Sequence, residues 1–306
     1  MIPNFPEFKP IELEDRDVLH PIFTSYKPET SEWTFTNFFM WKHFYSFQWS
    51  VYKDWFLFIC QPSNKEPYAL QPIGPASRME PVKMLLAFLR EKFQCKQPSI
   101  QKADRRCVEE LGSNDLFEIQ PMRDHFDYVY SSKDLISLSG RKYHAKKNYL
   151  NRFEKTYRHS YEPISSQWLP ECLKVLEQWC IVRDCVQHPL LLAETKAVQE
   201  VLSHWEHLAL QGGIVLVEGK VSAFSFGELL NPEMAVIHAE KADPSIPELF
   251  TVINQRFCQN AWSPIPWINR EQDLGEPGLR QSKLSYHPVR LVEKFLIRYK
   301  NQGGIL

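Results

Sequence analysis

Several features that would define a function class are scarce or missing in this chain. Glycine contributes only 11 of 306 residues, so glycine-dependent loops are few, and neither a P-loop nor a Gly-x-Ser-x-Gly elbow is present. The seven cysteines include no Cys-x-x-Cys pair, which is typical of reduced thiols buried as small hydrophobes. The formal net charge of -1 argues against a nucleic-acid footprint over the whole molecule, so any such site must be a local patch.

Targeting and membrane signals are also missing. No run reaches the roughly 18 apolar residues that span a bilayer. Residues 1–6 show no basic region followed by an apolar stretch, so no signal peptide is expected. We therefore expect a soluble, cytoplasmic protein without stable membrane insertion.

The composition and the order of predicted elements indicate two mixed α/β domains. A chain of 306 residues allows two cores at roughly 150 residues per domain, and 43% hydrophobic residues are ordinary for a globular protein. Before residue 131 the patterns predict an antiparallel sheet carrying helices, and after residue 155 they predict helices followed by strands, a helix and a strand. The predicted division is an N-terminal domain over 1–131, a bridging basic helix within 132–160 and a C-terminal domain over 161–306.

A charged loop is predicted at residues 269–283, between two apolar runs. It contains six charged residues, and Gly275, Pro277 and Gly278 constrain its backbone. Loops between core elements often carry binding groups, so this pattern favours a binding loop. The alternative is a solvated helix-and-turn cap with internal ion pairs.

A basic helix is predicted from residue 141 to 157. The segment 141–158 contains seven Lys or Arg residues and one acidic residue, Glu154. At 100° per residue, Tyr143, Leu150, Phe153 and Tyr157 form its apolar stripe, and Lys146 projects into the middle of that stripe. An ammonium group in that position favours a site for a phosphate or carboxylate, whereas the alternative is a lysine that extends to solvent. We expect this helix to lie beside the segment 269–286, which contains the charged loop.

A predicted strand over residues 235–239 carries two candidate proton acceptors. Alternation places His238 and Glu240 on one face, where either side chain would suit an attacking amine. The alternative is a strand with a satisfied structural histidine. His204 and His207 are three residues apart without a third ligand, so we predict no metal site.

Three segments resemble the bacterial family related to the catalytic domain of phosphatidylglycerol lysyltransferase. They are TFTNFFMW at residues 34–41, DLISLSGRKYHAKKNYLNRF at residues 134–153, and NREQDLGEPGLRQSKLSY at residues 269–286. The resemblance implies two tandem GNAT-like acyltransferase folds, with mixed, mostly antiparallel sheets flanked by helices, as in the Fem peptidyltransferases that use aminoacyl-tRNA.

Two departures from related enzymes narrow this expectation. The sequence carries no membrane-spanning half like that of the lipid-modifying enzymes. It also has no glycine cradle after the strand 235–239, where residues 240–245 read EKADPS. A cradle of bare backbone amides normally binds the pyrophosphate of CoA, so its absence weakens the prediction of acetyl-CoA binding.

The predicted function is transfer of an amino acid or acyl group from an activated, anionic donor to an amine or hydroxyl acceptor. The donor would be aminoacyl-tRNA or acyl-CoA, the acceptor a small molecule, a peptide or a lipid, and no further cofactor is required. Such a reaction needs alignment, a proton acceptor and donors for the oxyanion. The alternatives are a non-catalytic protein that binds a charged ligand or RNA, and a CoA-dependent N-acetyltransferase.

The candidate site residues follow from these patterns and from the resemblance. The predicted catalytic residues are Glu240, Asp273 and His238. The predicted substrate-binding residues are Arg141, Lys142, Lys146, Lys147, Asn151, Asn269, Arg270, Arg280, Ser282, Lys283 and Tyr286.

Overall fold

The computed structural model describes residues 1–63, 65–112 and 115–300, which form two compact units. The first unit contains Met1–Tyr26, Glu32–Phe126 and the segment that starts at Val292. The second unit contains Lys27–Ser31 and Asp127–Leu291.

The first unit is built on a mixed sheet in the spatial order β1-β2-β3-β4-β5-β14-β6. Its strands are β1 (Lys9–Pro10), β2 (Gln48–Tyr52), β3 (Trp55–Cys60), β4 (Tyr68–Ala69), β5 (Ser99–Ala103), β6 (Phe117–Pro121) and β14 (Phe295–Tyr299). Its helices are α1 (Arg16–Tyr26), α2 (Phe35–Met40), α3 (Lys42–Tyr45), α4 (Met79–Phe93) and α5 (Arg105–Leu111). Leu85, Leu86 and Leu89 of α4 are fully buried in one core with Leu57 and Ile100, which confirms the helical apolar face that their spacing predicts.

The second unit has a sheet in the order β13-β7-β12-β11-β10-β9-β8. Its strands are β7 (Asp127–Ser131), β8 (His159–Pro163), β9 (Gln211–Val217), β10 (Lys220–Asn231), β11 (Met234–Ala242), β12 (Trp267–Asn269) and β13 (Arg290–Val292). Its helices are α6 (Ser132–Ser137), α7 (His144–Thr156), α8 (Leu169–Val182), α9 (Pro189–Ser203), α10 (Leu249–Ala261) and α11 (Pro277–Leu284). Apolar side chains of β9 and β10 pack against α10, which buries one face of the sheet.

Gly227 shows why this sheet needs a glycine in the middle of β10. A Cβ atom at that position would lie 2.1 Å from the carbonyl oxygen of Val236 on β11. The register between the two strands shifts at Phe226 and Gly227, so the backbones approach closely there. Only a residue without a side chain fits this bulge.

The predicted fold class is confirmed. Both sheets are mostly antiparallel, and each contains a parallel pair, β4 with β5 and β11 with β12; helices flank them. No helix within the described residues is both long and apolar enough to cross a membrane.

The two units divide the chain at other places than the sequence predicts. The last strand, β14, pairs between β5 and β6 and therefore belongs to the first unit, where Ile297 is fully buried. The basic helix lies within the second unit as a single 3₁₀ turn (Arg141–Tyr143) followed by α7, with Leu150 and Phe153 buried in that unit's core. Both differences arise from pairing and packing between residues that are far apart in sequence, and local sequence patterns do not reveal such contacts.

Candidate functional site

The candidate site forms where two parallel strands part. Strands β11 and β12 pair only as far as Val236 opposite Asn269, whereas β11 continues to Ala242 alongside β10. On the side of β12 that faces β7, the chain beyond Asn269 remains hydrogen-bonded to β7, because the Arg270 amide donates to the Tyr128 carbonyl oxygen at 2.9 Å. Ligand sites of α/β sheets commonly lie beyond the carboxyl ends of such strands.

A β-bulge sets the direction of the Arg270 side chain. Tyr128 faces two residues, since its amide donates to the carbonyl oxygen of Glu271 at 3.2 Å while its own carbonyl accepts from Arg270. Glu271 has a φ of 56°, in the left-handed region that few side chains adopt. Bulges beside functional sites redirect single side chains, and this bulge directs Arg270 towards β11.

Asn269 holds the bulge from within the fold. Its Oδ1 atom accepts a hydrogen bond from the Glu271 amide at 2.7 Å. Its Nδ2 atom donates to the Glu29 carbonyl oxygen at 2.9 Å and to Asp127 at 3.1 Å. Asn269 is fully buried, so the predicted binding residue supports the loop from inside the fold.

His238 holds the same bulge from the β11 side. Its Nδ1 atom lies 2.9 Å from Glu271 Oε1, and its Nε2 atom lies 3.0 Å from Glu228 Oε1. Burial alone would lower the pKa of His238, but the two carboxylates raise it to about 9. The side chain is 0% exposed, and each of its two ring nitrogens lies against a carboxylate.

Three basic side chains gather at the bulge. Lys283 Nζ donates to the Arg270 carbonyl oxygen. Lys146 Nζ lies 4.1 Å from the centroid of the Tyr286 ring, and the Arg270 guanidinium carbon lies 4.7 Å from the same centroid. A second tyrosine, Tyr130, has its centroid 5.6 Å from that carbon. These distances fall within the range of cation–π contacts.

The predicted association of the basic helix with the segment 269–286 is therefore confirmed. Besides the contact through Lys146, the Tyr143 hydroxyl donates to the Tyr286 carbonyl oxygen at 3.0 Å. His287 Nε2 lies 2.9 Å from the carbonyl oxygen of Lys142. Residues more than a hundred positions apart in the sequence thus build one site.

Burial and mutual repulsion weaken the hold of both lysines on their protons. Burial and the neighbouring Arg270 charge lower the pKa of Lys146 to about 8. The same two causes, in the same order, lower the pKa of Lys283 to about 8, against smaller opposite effects of nearby carboxylates. Burial would also lower the pKa of Arg270, but Glu240 and the adjacent tyrosines raise it, so the guanidinium stays charged.

One carboxylate, Glu240, pairs directly with this basic cluster. Its Oε2 atom accepts from Arg270 Nη2, and its Oε1 atom accepts from Asn254 Nδ2 at 2.6 Å. The other terminal nitrogen of Arg270, Nη1, is buried and has no hydrogen-bond partner among the described residues. A buried donor of a charged group without a partner is costly, and an anionic ligand is one group that would satisfy it.

Asp273 and Arg280 form a second ion pair in the loop. Asp273 is fully buried and accepts from Arg280 Nε at 2.7 Å, from Arg280 Nη2 at 2.8 Å and from the Gly275 amide at 2.9 Å. The Tyr128 hydroxyl also donates to it. Burial would raise its pKa, but these hydrogen bonds outweigh that effect and hold the pKa well below its usual range. Such a carboxylate is a poor proton acceptor, and it fixes the loop instead.

The remaining predicted binding residues lie outside the cluster. Lys142 Nζ pairs with Asp134 at 3.0 Å. Ser282 is exposed, and its carbonyl oxygen accepts from the Ser285 hydroxyl at 2.6 Å. Exposed side chains on the outer side of the basic helix and its first turn are Arg141, Lys147 and Asn151.

Several residues of the site carry no signal in the sequence. Tyr130 lies on β7 and Asn254 lies on α10, each more than a dozen residues from Arg270 along the chain. Glu228 lies in a long apolar strand, where a buried carboxylate is unexpected. For Glu228 alone the sequence gives a sign: an acid in an apolar strand indicates a buried cation opposite it, and in the structure the facing residue is His238.

Comparison with known proteins finds solved structures that share the fold of this chain. A protein of unknown function from Bacteroides thetaiotaomicron VPI-5482 is 33% identical, with 98% of this chain and 100% of that chain covered and a TM-score of 0.89. L-PGS from Bacillus licheniformis shares the fold at 16% identity, with coverage of 99% and 95% and a TM-score of 0.61. FemX shares it at 8% identity, with coverage of 97% and 98% and a TM-score of 0.57. No curated protein sequence matches the chain significantly.

These likenesses confirm the predicted Fem-type, GNAT-like fold. The family model described as phosphatidylglycerol lysyltransferase, C-terminal, matches residues 23–298, which is most of the chain. The match includes each of the three segments that carry the resemblance in the sequence, and it spans β11, β12 and the basic helix that build the site. The chain therefore belongs to the family of the phosphatidylglycerol lysyltransferase C-terminal domain.

Proposed function

We propose that this protein is an aminoacyl- or acyltransferase that uses an anionic, activated donor such as aminoacyl-tRNA. The observation that carries the proposal is the buried, unpartnered Nη1 atom of Arg270 within a cluster of three cations. Membership of a family named for a lysyltransferase supports a transfer reaction. The acceptor would be an amine or a hydroxyl group of a small molecule, a peptide or a lipid.

The cluster suits an anion because its charges are incompletely balanced. Arg270 is paired with Glu240, while Lys146 makes no ion pair within the described residues. A phosphate or carboxylate placed here would accept from Arg270 Nη1 and would favour the charged form of both lysines. The rings of Tyr130 and Tyr286 give the site apolar walls, as in most small-ligand sites.

Glu240 is the best-placed proton acceptor of the three candidates. Both of its oxygens are held by hydrogen bonds, yet its side chain is 12% exposed, whereas the side chains of His238 and Asp273 are 0% exposed. The acceptor's nitrogen or oxygen would attack the carbonyl carbon of the donor ester, and the bond from that carbon to the ribose oxygen would break. Glu240 would take the proton from the acceptor and return it to the departing ribose oxygen.

A transfer assay tests this proposal. The protein, in excess, is mixed with tRNA charged with one radiolabelled amino acid at a time and with phosphatidylglycerol vesicles, a peptide amine or a small amine. We expect product with at least one donor, and a large loss of rate in Glu240→Gln with nearly unchanged donor affinity. Arg270→Gln should weaken donor binding.

The matched control is Arg290→Gln, which removes an exposed arginine paired with Glu29 in the same unit. This variant should keep the full transfer rate. If no donor gives product while an anionic ligand still binds at Arg270, the protein is a non-catalytic binding protein on the same fold.

A further inference from the structure

The basic helix has a second, outward face whose charges are not used by the site. The face comprises the four basic residues Arg141, Lys147, Lys155 and Arg158 with Asn148 and Asn151, and all six are exposed. We call it the outer basic face. It lies in the second unit, on α7 and the residues immediately before and after it.

Three other charges of this segment pair with charges on neighbouring elements. Lys142 pairs with Asp134, and Arg152 pairs with Glu248. The only acid of the segment, Glu154, pairs with Arg256 of α10 at 2.6 Å. Glu154 is thus paired with a residue of α10 and does not offset the positive charge of α7.

The four basic side chains of the outer basic face have no ion-pair partner among the described residues. They therefore concentrate four positive charges on α7 and its flanking residues in a chain whose net charge is -1. Lys147, Asn151 and Lys155 follow each other at intervals of four, so they form one row about 12 Å long. A row of unpaired cations separated by amides matches a polyanion with regularly spaced charges.

The side chains between these cations favour a nucleic acid over a lipid surface. Asn148 and Asn151 offer amide donors and acceptors for phosphate and sugar groups. Tyr149 is 38% exposed, with the Arg152 guanidinium carbon 5.6 Å from its ring centroid, and an exposed aromatic ring can stack on a base. Tyr149 is also the one large apolar side chain of the described α7 that is exposed, whereas a helix that lies in a membrane surface needs a continuous apolar face.

We propose that the outer basic face binds the sugar–phosphate backbone of RNA. This inference rests on the proposed function, because the RNA would be the nucleic-acid part of the donor. The helix then serves both parts of one ligand: Lys146 lies against Tyr286 in the site, and the adjacent Lys147 is exposed on the outer basic face.

The test measures binding of an uncharged RNA hairpin with a single-stranded 3′ tail by fluorescence anisotropy over a series of salt concentrations. The quadruple variant Arg141→Gln, Lys147→Gln, Lys155→Gln and Arg158→Gln removes the face. We expect the slope of log affinity against log salt to become shallower by about 3, and the affinity at low salt to fall at least about tenfold. The control neutralises four exposed lysines elsewhere in the same unit, Lys133, Lys174, Lys196 and Lys220.

The outcomes separate this inference from the proposed function, because the hairpin carries no acyl group. Equal slopes for the quadruple variant and its control would overturn the RNA face while leaving the transfer reaction open to other donors. If vesicles containing phosphatidylglycerol bind and lose affinity in the quadruple variant while the hairpin does not bind, the face contacts lipid and the inference fails. Loss of hairpin binding in the quadruple variant, with binding retained in Arg270→Gln, would support a face distinct from the acyl site.

Discussion

Replacing Lys146 with methionine should stabilise the protein. Lys146 is half-buried on the apolar side of α7, beside the Arg270 charge, and makes no ion pair within the described residues. Its contact with the Tyr286 ring offsets only part of the cost of burying an ammonium group. Methionine has a similar length and helix propensity and needs no hydration at its end. A residue kept in spite of such a cost is typical of a functional site.

The size of the effect follows from the pKa of Lys146. The fall from 10.5 to about 8 corresponds to at most about 3.4 kcal/mol at 1.36 kcal/mol for each factor of ten in the proton equilibrium. Solvent screens part of this because the side chain is partly exposed, and methionine loses a cation–π contact of about 0.5–1 kcal/mol. We therefore expect the free energy of unfolding to rise by about 1 kcal/mol near neutral pH.

The gain should depend on pH in a defined direction. The folded protein releases the Lys146 proton near pH 8, whereas the unfolded chain holds it up to about pH 10.5. The unfolded state thus binds more protons in this interval, and the stability of the unmodified protein rises with pH across it. The advantage of Lys146→Met should be full below pH 8 and lost by about pH 10.5.

The assay is urea unfolding at pH 7 and pH 10 for the unmodified protein, Lys146→Met and the control Lys147→Met. Lys147 is the adjacent residue and is exposed, so its replacement should change the free energy of unfolding by less than about 0.5 kcal/mol. A loss of stability in Lys146→Met at pH 7, or a gain that does not shrink at pH 10, would refute the idea that this lysine is held against a desolvation cost.

Three further predictions concern residues near the site. The pKa of His238 is raised to about 9, so its contribution to the free energy of unfolding is full below about pH 6.5 and is lost as the pH rises through 9. In urea titrations, the difference in free energy of unfolding between the unmodified protein and His238→Gln should therefore fall by up to about 3 kcal/mol across that window. Asp273→Asn should lower the free energy of unfolding by about 2–4 kcal/mol, since it removes the buried carboxylate charge that pairs with Arg280 and accepts from Tyr128; an unchanged urea midpoint would show that this pair does not hold the loop. Acetyl-CoA should bind with a dissociation constant above about 100 µM by calorimetry. The reason is that in the connection between β11 and α10 the Ser245 amide already donates to the Asp243 carboxylate at 2.9 Å, so it is not available to a pyrophosphate. A low-micromolar dissociation constant would favour the acetyltransferase alternative.

The sequence predicted the parts of the site that local patterns can reveal. Of the predicted helical stripe, Tyr143, Leu150 and Phe153 are buried and Tyr157 is half-buried, and Lys146 is half-buried as its position in the arc indicates. The burial of the stripe depends on the period of a single element, so it can be read from consecutive residues. The shared face predicted for His238 and Glu240 is wrong, because the register of β11 against β10 shifts between Ile237 and Ala239. Glu240 accepts from Asn254 of α10, whereas His238 lies against Glu228 of β10.

The roles of the charged residues were not available from the sequence. Arg270 and Arg280 lie in the same short segment, yet one has an unpartnered nitrogen at the site and the other is locked onto Asp273. The difference depends on the bulge opposite Tyr128, which is more than a hundred residues away along the chain. Long-range hydrogen bonds of this kind leave no periodic signal, so a charge pattern identifies the loop but cannot assign its side chains.

The central claim is that Arg270 and the two lysines hold the anionic donor. Its most direct test is calorimetry with an RNA hairpin carrying an amino acid on its 3′ end through a non-hydrolysable amide bond. Arg270→Gln should raise the dissociation constant by about 10- to 150-fold, the equivalent of 1.5–3 kcal/mol for a charge-assisted hydrogen bond, while Arg290→Gln leaves it unchanged. Equal affinity of the unmodified protein and Arg270→Gln for this hairpin would contradict the account.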